Sequence, residues 1–477
     1  MRLPGFIGGA YTVRDVTIDC QRCVNLHVEK NEMSTAANAE AGALVPTPGL
    51  NRLAYVGDGP IRGEASIPST GKLIVVSGSG VYLVESDWSS ALVGRIRTST
   101  GPVDIASNLY QVCIVDGVSG YAYDTTKSPA FFEIAGFPAC DRAAFLDNYV
   151  LFNIKGSGSF GFTALNDISV VDPLDVQTVE GSPDNLIGVV VSNRQIWLPG
   201  TDSVEVFINT GDALNPFQRV QGAFVEFGCA SSFTFQKIGN SVVWLGSGTA
   251  GAGIVWMATG YQPTRISTHA IEFALSSSGD LSSATAYVYQ QGGHQFYCLT
   301  VPGQATTWVY DLATGLWHER VGFLLGDETR HRAQCQAYAY GVTVVGDYQD
   351  GRIYKYDYNQ MTDDGEVIIR ERTTPHLGQD GRRLIWDYLQ VEAKAGVGSS
   401  GGSTNADPQM MLQWSNDAGV TWSPERWVSF GKIGQFLTRA IWRRMGFSRY
   451  RVFRVRVSSS VPVFLLGASI QFRVGGN

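Results

Sequence analysis

Apolar and polar positions alternate along most of this chain in one recurring form: a β-branched apolar run, a Gly-rich turn, and a second alternating run. The form appears at 75–85 (VVSGSGVYLVE), 113–124 (CIVDGVSGYAYD), 151–163 (LFNIKGSGSFGFT), 196–208 (IWLPGTDSVEVFI), 242–257 (VVWLGSGTAGAGIVWM), 298–311 (CLTVPGQATTWVYD) and 344–357 (VVGDYQDGRIYKYD). The runs begin 38, 38, 45, 46, 56 and 46 residues apart. Alternation with period two is the signature of a strand with one buried face. The spacing accommodates four strands and a connection, so the repeat predicts a β-propeller of six or seven blades. A β-sandwich with regularly spaced hairpins is the competing architecture, but seven units exceed what one sandwich usually holds. Gly78, Gly80, Gly117, Gly120, Gly156, Gly158, Gly246 and Gly248 fall where the chain reverses, and positive φ is expected there.

The pattern changes at both ends. Residues 1–50 do not fit the repeat and read as an N-terminal extended arm, with a strand in DVTIDCQRCVNLHVEKNE and a Pro-rich turn, ALVPTPGL. Pro46 and Pro48 lack donors, which places this piece at an edge or crossing between domains. Residues 51–360 form the predicted propeller. Residues 361–477 form an appended β-sandwich-like domain, its strands read from LIWDYLQVEAKA, MLQWSNDAGVTWS, RAIWRRMGFSRYRVFRVRV and VPVFLLGASIQFRV. The Gly/Ser-rich stretch 396–408 predicts a mobile loop. No window carries a sustained helical stripe, so the chain is expected to be all-β.

Composition supports a turn-rich β protein: 55 glycines in 477 residues, 11% aromatic and 17% charged. The start lacks a signal-peptide pattern and no run reaches the ~18 apolar residues of a membrane span, so a cytoplasmic origin is expected. Seven scattered cysteines argue against a disulfide framework. Cys20 and Cys23 form a C-x-x-C, but neither a second ligand pair for zinc nor a βαβ context for redox chemistry accompanies it. They read as small half-buried residues. Charge is divided: residues 1–380 hold 23 Lys/Arg against 38 Asp/Glu (net −15), while residues 381–477 hold 13 against 5 (net +8). A basic end on an acidic body marks either a contact surface for an anionic partner or a solvated face.

Catalytic patterns are missing. His27, His269, His294, His318, His331 and His376 are isolated in sequence, and no H-E-x-x-H, G-x-S-x-G or phosphate-cradling G-K-[ST] occurs. No enzyme activity, cofactor or metal is predicted. Ser415, Asp417, Gly419, Thr421 and Trp422 fit S-x-D-x-G-x-T-W, the Asp-box hairpin, whose work is structural. The box and Trp308, Trp317 and Trp414 keep a carbohydrate-binding or glycan-cleaving propeller open as an alternative; a cytoplasmic scaffold is a third reading. The sharpest local feature is the Arg-rich segment containing Arg439, Arg443, Arg444, Arg449, Arg454 and Arg456. Phe453, Val455 and Val457 should face a core while Arg454 and Arg456 face the other way. Guanidinium groups so arrayed suit carboxylates or phosphates. Ion pairing with the acidic body is equally compatible.

Three stretches carry a family resemblance. The tail Arg439, Trp442, Arg444, Gly446, Arg449, Arg456, Val457, followed by Ser460, Pro462, Val463 and Gly467-Ala468, resembles the end of packaged-DNA stabilisation proteins, the tail accessory or nozzle proteins of short-tailed phages. Val24-Asn25-Leu26 with Pro48-Gly49-Leu50 resembles their beginning. Leu186-Ile187-Gly188 through Val204-Glu205-Val206-Phe207 and Thr210-Gly211 resembles a middle region. The resemblance implies a non-enzymatic virion tail protein assembled in the host cytoplasm, a propeller with an added β domain. It implies a hexameric ring below the portal and adaptor that retains packaged DNA, around a channel that DNA traverses without sequence-specific binding. It also implies a tail needle or plug and a tailspike or fibre as further partners. The six arginines are then expected at an inter-subunit or adaptor contact, and an acidic bore would let DNA slide without sticking.

Overall fold

The structure, a computed structural model, describes residues 1–31, 42–212, 215–247, 253–324, 326–398 and 405–475. Gly248 and residues 399–404 of the Gly/Ser-rich stretch lie outside these. Each of the seven repeats is the central hairpin of a four-stranded antiparallel blade. In order these hairpins are Leu73–Ser77 with Gly80–Val84, Gln111–Val115 with Gly120–Asp124, Tyr149–Asn153 with Ser159–Phe162, and Gln195–Pro199 with Val204–Asn209. Ser241–Leu245 with Val255–Thr259, His294–Thr300 with Thr307–Asp311, and Val342–Asp347 with Arg352–Asp357 follow. The blade count is therefore seven, the higher of the two expected. The innermost strands run from Ile61–Ser66 of blade 1 to Ala333–Ala339 of blade 7, and the last packs against the first. The ring is closed.

Closure comes from the start of the chain. Blade 7 takes its outer strand from Gly49–Tyr55, antiparallel to Arg352–Asp357 with Leu50 opposite Tyr356. This strand begins two residues inside the stretch read from sequence as the arm. Joining the two ends of the propeller in one sheet converts ring opening into the loss of a whole strand pairing.

Between blades, apolar side chains from facing sheets interlock in separate clusters. Ile74, Val76 and Tyr121 fill the space between blades 1 and 2, and Val56, Ile61, Val75 and Val344 that between blades 7 and 1. One cluster is different. The layer between blades 5 and 6 runs unbroken from Leu245, Leu299 and Trp317 through Leu3 and Phe6 into Trp386, Leu412 and Phe453 of the C-terminal domain. The α-helix His269–Ser276, capped by Thr268 accepting from the Ile271 amide, contributes Ile271 and Leu275 to it. Among the described residues helix content is 2%, as the absent helical stripe implied.

The C-terminal domain is a sandwich. One sheet orders Arg370–Thr373, Tyr450–Val457, Gln409–Ser415 and Arg426–Ser429; the other orders Leu26–Lys30, Gly42–Pro46, Leu465–Val474, Leu384–Ala393 and Ala440–Arg443. Two strands of the second sheet thus come from the first fifty residues. Between them and the propeller, Cys23–Val24 lies parallel to Leu316–Leu324 of blade 6 and antiparallel to Arg370–Thr373. Blade 6 and the first of these sandwich sheets are one continuous sheet of eleven strands.

The turn glycines divide into two kinds. Gly78, Gly117 and Gly156 take positive φ, as expected, whereas Gly80, Gly120, Gly158 and Gly246 do not. At Gly120 the constraint is space: the Phe137 ring lies 2.5 Å from where a Cβ would stand.

Arg372 holds the junction. Its fully buried guanidinium donates to the carbonyls of Gly5 (2.7 Å), Phe6 (2.7 Å), Gly9 (2.9 Å) and Arg22 (3.2 Å) and to Gln21 Oε1 (2.9 Å). Substituting Arg372→Met leaves these acceptors without that donor, at about 1–3 kcal/mol for each that stays buried. Urea unfolding of that variant should show a loss of at least about 3 kcal/mol; a loss below about 1 kcal/mol contradicts the assignment.

Candidate functional site

The Arg-rich segment folds as its alternation requires. Phe453, Val455 and Val457 are buried, and Arg454 and Arg456 project from the opposite face of Tyr450–Val457. The two arginines are engaged within the chain. Arg456 Nε pairs with Glu371 at 2.5 Å, while Arg454 donates to Gln413 Oε1 (2.6 Å) and lies over the Trp422 ring at 4.0 Å. Glu371 also lies 3.9 Å from Arg22, which pairs with Glu319 of blade 6 (2.8 Å) and with Glu328 (3.0 Å) on the adjoining strand Asp327–Arg330. Burial disfavours the charge on Arg22, but Glu319 and Glu371 outweigh it, so the group is held protonated above its ordinary range. Part of the basic segment is therefore a structural ion network linking arm, propeller and sandwich.

The remaining arginines face solvent. Arg439, Arg443, Arg444 and Arg449 are exposed, and the side chains of the first three make no hydrogen bond or ion pair among the described residues. Arg443 ends the strand Ala440–Arg443, and Arg444 (φ 56°) and Gly446 (φ 75°) form the turn beyond it. Phe447 and Tyr450 follow, both more than half exposed, with Arg383 stacked 3.6 Å over Phe447. At the other end of the same strand, the stretch before Arg439 presents Ile433, Phe436 and Leu437 to solvent, Leu437 being 94% exposed. This strand is thus flanked by cations at one end and by apolar side chains beside Arg439 at the other. Sequence reading found the cations and missed Phe436 and Leu437, whose only signal was two large apolar residues in a Gly-punctuated loop.

The Asp box is a closed turn. Ser415 Oγ donates to Asp417 Oδ1 (2.6 Å) and accepts from the Gly419 amide (2.7 Å); the Thr421 amide donates to Asp417 Oδ1 (2.9 Å). Hydrogen bonds from Ser415 and Thr421 hold the Asp417 carboxyl down to about 2. Trp308 and Trp317 are buried, and the guanidinium groups of Arg426 and Arg451 stand 5.8 Å and 5.3 Å over the half-buried Trp414 ring.

Cys20 and Cys23 are both buried rather than half-buried. Burial pushes the thiols up to about 11 and about 12, which removes thiolate reactivity. The histidines are not all isolated: His27, His294 and His318 come together where the arm meets blade 6. Around the propeller axis lies a cavity of about 570 Å³ whose wall mixes Arg62, Arg142, Lys237 and Arg330 with Glu64 and Asp104. Arg62 and Arg142 are already occupied, the first by the carbonyls of Gly78, Thr98 and Gly101 and the second by Asp104 and Ser232. No described helix is long and apolar enough to cross a membrane.

Comparison with known proteins adds two family matches. The family model described as bacteriophage P22 Gp10, beta-propeller, matches residues 7–361, and that described as bacteriophage P22 Gp10, beta-sandwich, matches residues 369–473. No curated protein sequence matches. Among solved structures, the N-terminal domain of Nup159 is 9% identical, with 70% of this chain and 98% of that one covered at a TM-score of 0.41. The Myceliophteria thermophila Cps50 (Swd1) beta-propeller domain is 9% identical, with 65% and 99% covered at 0.43. At these scores the two carry no argument about this chain.

The Asp417 carboxyl gives a test of the hairpin. Its value is depressed from 3.8 to about 2, so its contribution is full above pH 3.8 and is lost as pH falls through about 2. Asp417→Asn should lower Tm at pH 7 and bring the two proteins together near pH 2; an equal Tm at pH 7 contradicts the locking role.

Proposed function

Since the chain belongs to the bacteriophage P22 Gp10 family, and is on that ground a structural component of the virion tail, we propose that it forms the tail nozzle. In this reading several copies, six by family resemblance, close a ring below the portal and adaptor. The ring helps to retain packaged DNA and bounds the channel for its ejection. A needle or plug and a spike or fibre are the further partners.

The observation that carries the reading is that the two family matches together span nearly the whole chain, with propeller and sandwich sharing one sheet and one core. A ring under internal pressure needs protomers that do not hinge, and a continuous sheet with a buried ion network supplies that stiffness. The cavity on one propeller axis, about 570 Å³, has the size of a small-molecule pocket. A passage for DNA would therefore run between copies and not through one. The net charge of −15 on residues 1–380 favours sliding over sticking, because like charge opposes phosphate contact. The exposed sandwich edge, with Arg439, Arg443, Arg444 and Arg449 beside Phe436, Leu437 and Phe447, has the mixed apolar and Arg-rich character of an assembly surface.

The test is charge reversal at exposed positions. A chain carrying Arg443→Glu and Arg444→Glu should fold with an unchanged circular dichroism spectrum and fail to enter tails. Infectious titre should fall roughly 100-fold or more, since a like-charge contact costs several kcal/mol. Normal infectious particles from this mutant would refute the assignment of that edge.

A further inference from the structure

Three histidines far apart in sequence converge where the N-terminal hairpin lies against blade 6. His27 sits on Leu26–Lys30, His294 opens the strand His294–Thr300, and His318 lies on Leu316–Leu324. The His27 ring is 5.3 Å from that of His294 and 5.9 Å from that of His318. Glu29, two residues beyond His27 and on the same strand face, brings its Oε2 to 3.2 Å from His294 Nε2.

The hydrogen-bond pattern leaves this arrangement incomplete. Asp311, 1% exposed, accepts from the Ala313 amide and the Thr314 hydroxyl, so it is an acceptor, and His294 Nδ1 donates to it at 2.9 Å. In the neutral ring the Nε2 lone pair then faces the Glu29 carboxylate, acceptor against acceptor. His27, 2% exposed, makes no hydrogen bond through either ring nitrogen among the described residues, and its Nδ1 is sealed from solvent without a partner. A proton added to His294 would satisfy the His294–Glu29 pair and leave His27 unserved. A cation would serve all three, because ligand atoms of His27, Glu29 and His294 lie within 4.8 Å of one another.

The geometry points to a divalent transition-metal site, of the zinc class, formed by His27, Glu29 and His294, which pins the N-terminal hairpin to the propeller. Two imidazoles and a carboxylate suit Zn²⁺, and one tetrahedral position stays open for water or a neighbour's donor. With bonds of about 2.0 Å, tetrahedral ligand atoms stand about 3.3 Å apart, close to the 3.2 Å between Glu29 and His294. Asp311 behind His294 supplies the outer carboxylate that fixes a ligating imidazole in orientation and tautomer.

The test uses the full chain, freed of metal with a chelator and titrated with Zn²⁺ by calorimetry and with Co²⁺ by visible absorption. One Zn²⁺ should bind per chain and raise Tm. Co²⁺ should give a four-coordinate d–d spectrum without a thiolate charge-transfer band. Glu29→Gln, at a side chain 53% exposed and therefore safe for folding, should weaken Zn²⁺ binding at least roughly tenfold, and Asp311→Asn roughly 10–100-fold. His269→Gln, outside the cluster, should leave it unchanged. No Zn²⁺ binding, binding that Glu29→Gln does not weaken, or a thiolate band would each overturn the proposal.

Discussion

Where three chain segments meet, backbone carbonyls turned inward must find donors, and Arg372 supplies them. Its guanidinium draws together Gly5, Phe6, Gly9, Gln21 and Arg22, which fixes the arm against the sandwich strand Arg370–Thr373. One register further on, Asn25 takes φ 52° and donates its Nδ2 to both Val321 and Ile369, while its Oδ1 accepts from the Val321 amide. Blade 6, the arm and the sandwich are thereby locked through one amide side chain. Ring closure follows from this junction: the arm can deliver Gly49–Tyr55 to blade 7 only if the preceding residues are held. The Pro48 carbonyl accepts from the buried Arg320, which also stacks 4.8 Å over Tyr356.

The junction has a consequence for mechanics. Domains joined by a linker hinge unless their interface is large and apolar. Here the peptide between the last blade and the sandwich is tied down, because Thr362–Asp363 pairs with Gly49–Tyr55 of blade 7 before the chain enters the sandwich at Arg370–Thr373. The chain runs from the arm to blade 7, around the ring and into the sandwich, whose strand Arg370–Thr373 pairs with the arm, so force on the sandwich is carried into blade 6 through strand hydrogen bonds. The exposed arginines Arg439, Arg443, Arg444 and Arg449 stand outside the internal ion network, and they sit on the sandwich.

Much of the fold was legible because each blade is a local object. The seven hairpins were readable from alternation and turn chemistry, which involve residues a few positions apart. What was not legible is non-local. Gly49–Tyr55 alternates weakly, and the residues it pairs with lie three hundred positions away. Three strands of the second sandwich sheet were readable, but its other two were not placed there for the same reason, since Leu26–Lys30 and Gly42–Pro46 join Leu465–Val474 from the far end of the chain. The Arg454/Arg456 face was readable from period two, but its partners Glu371 and Trp422 were not, so two of the six candidate arginines proved to be engaged inside the molecule. His27, His294 and His318 obey no ligand spacing in sequence, and only sheet register brings them together.

The central claim is that this chain works by shape, as a repeated rigid unit of a phage tail. Electron microscopy of tails purified from virions tests it most directly. The expected result is a closed multi-copy ring of this chain surrounding an open channel, with the exposed Arg443–Tyr450 edge of the sandwich at a protein contact. A tail in which the chain is absent, or present as a single copy with that edge in solvent, would contradict it.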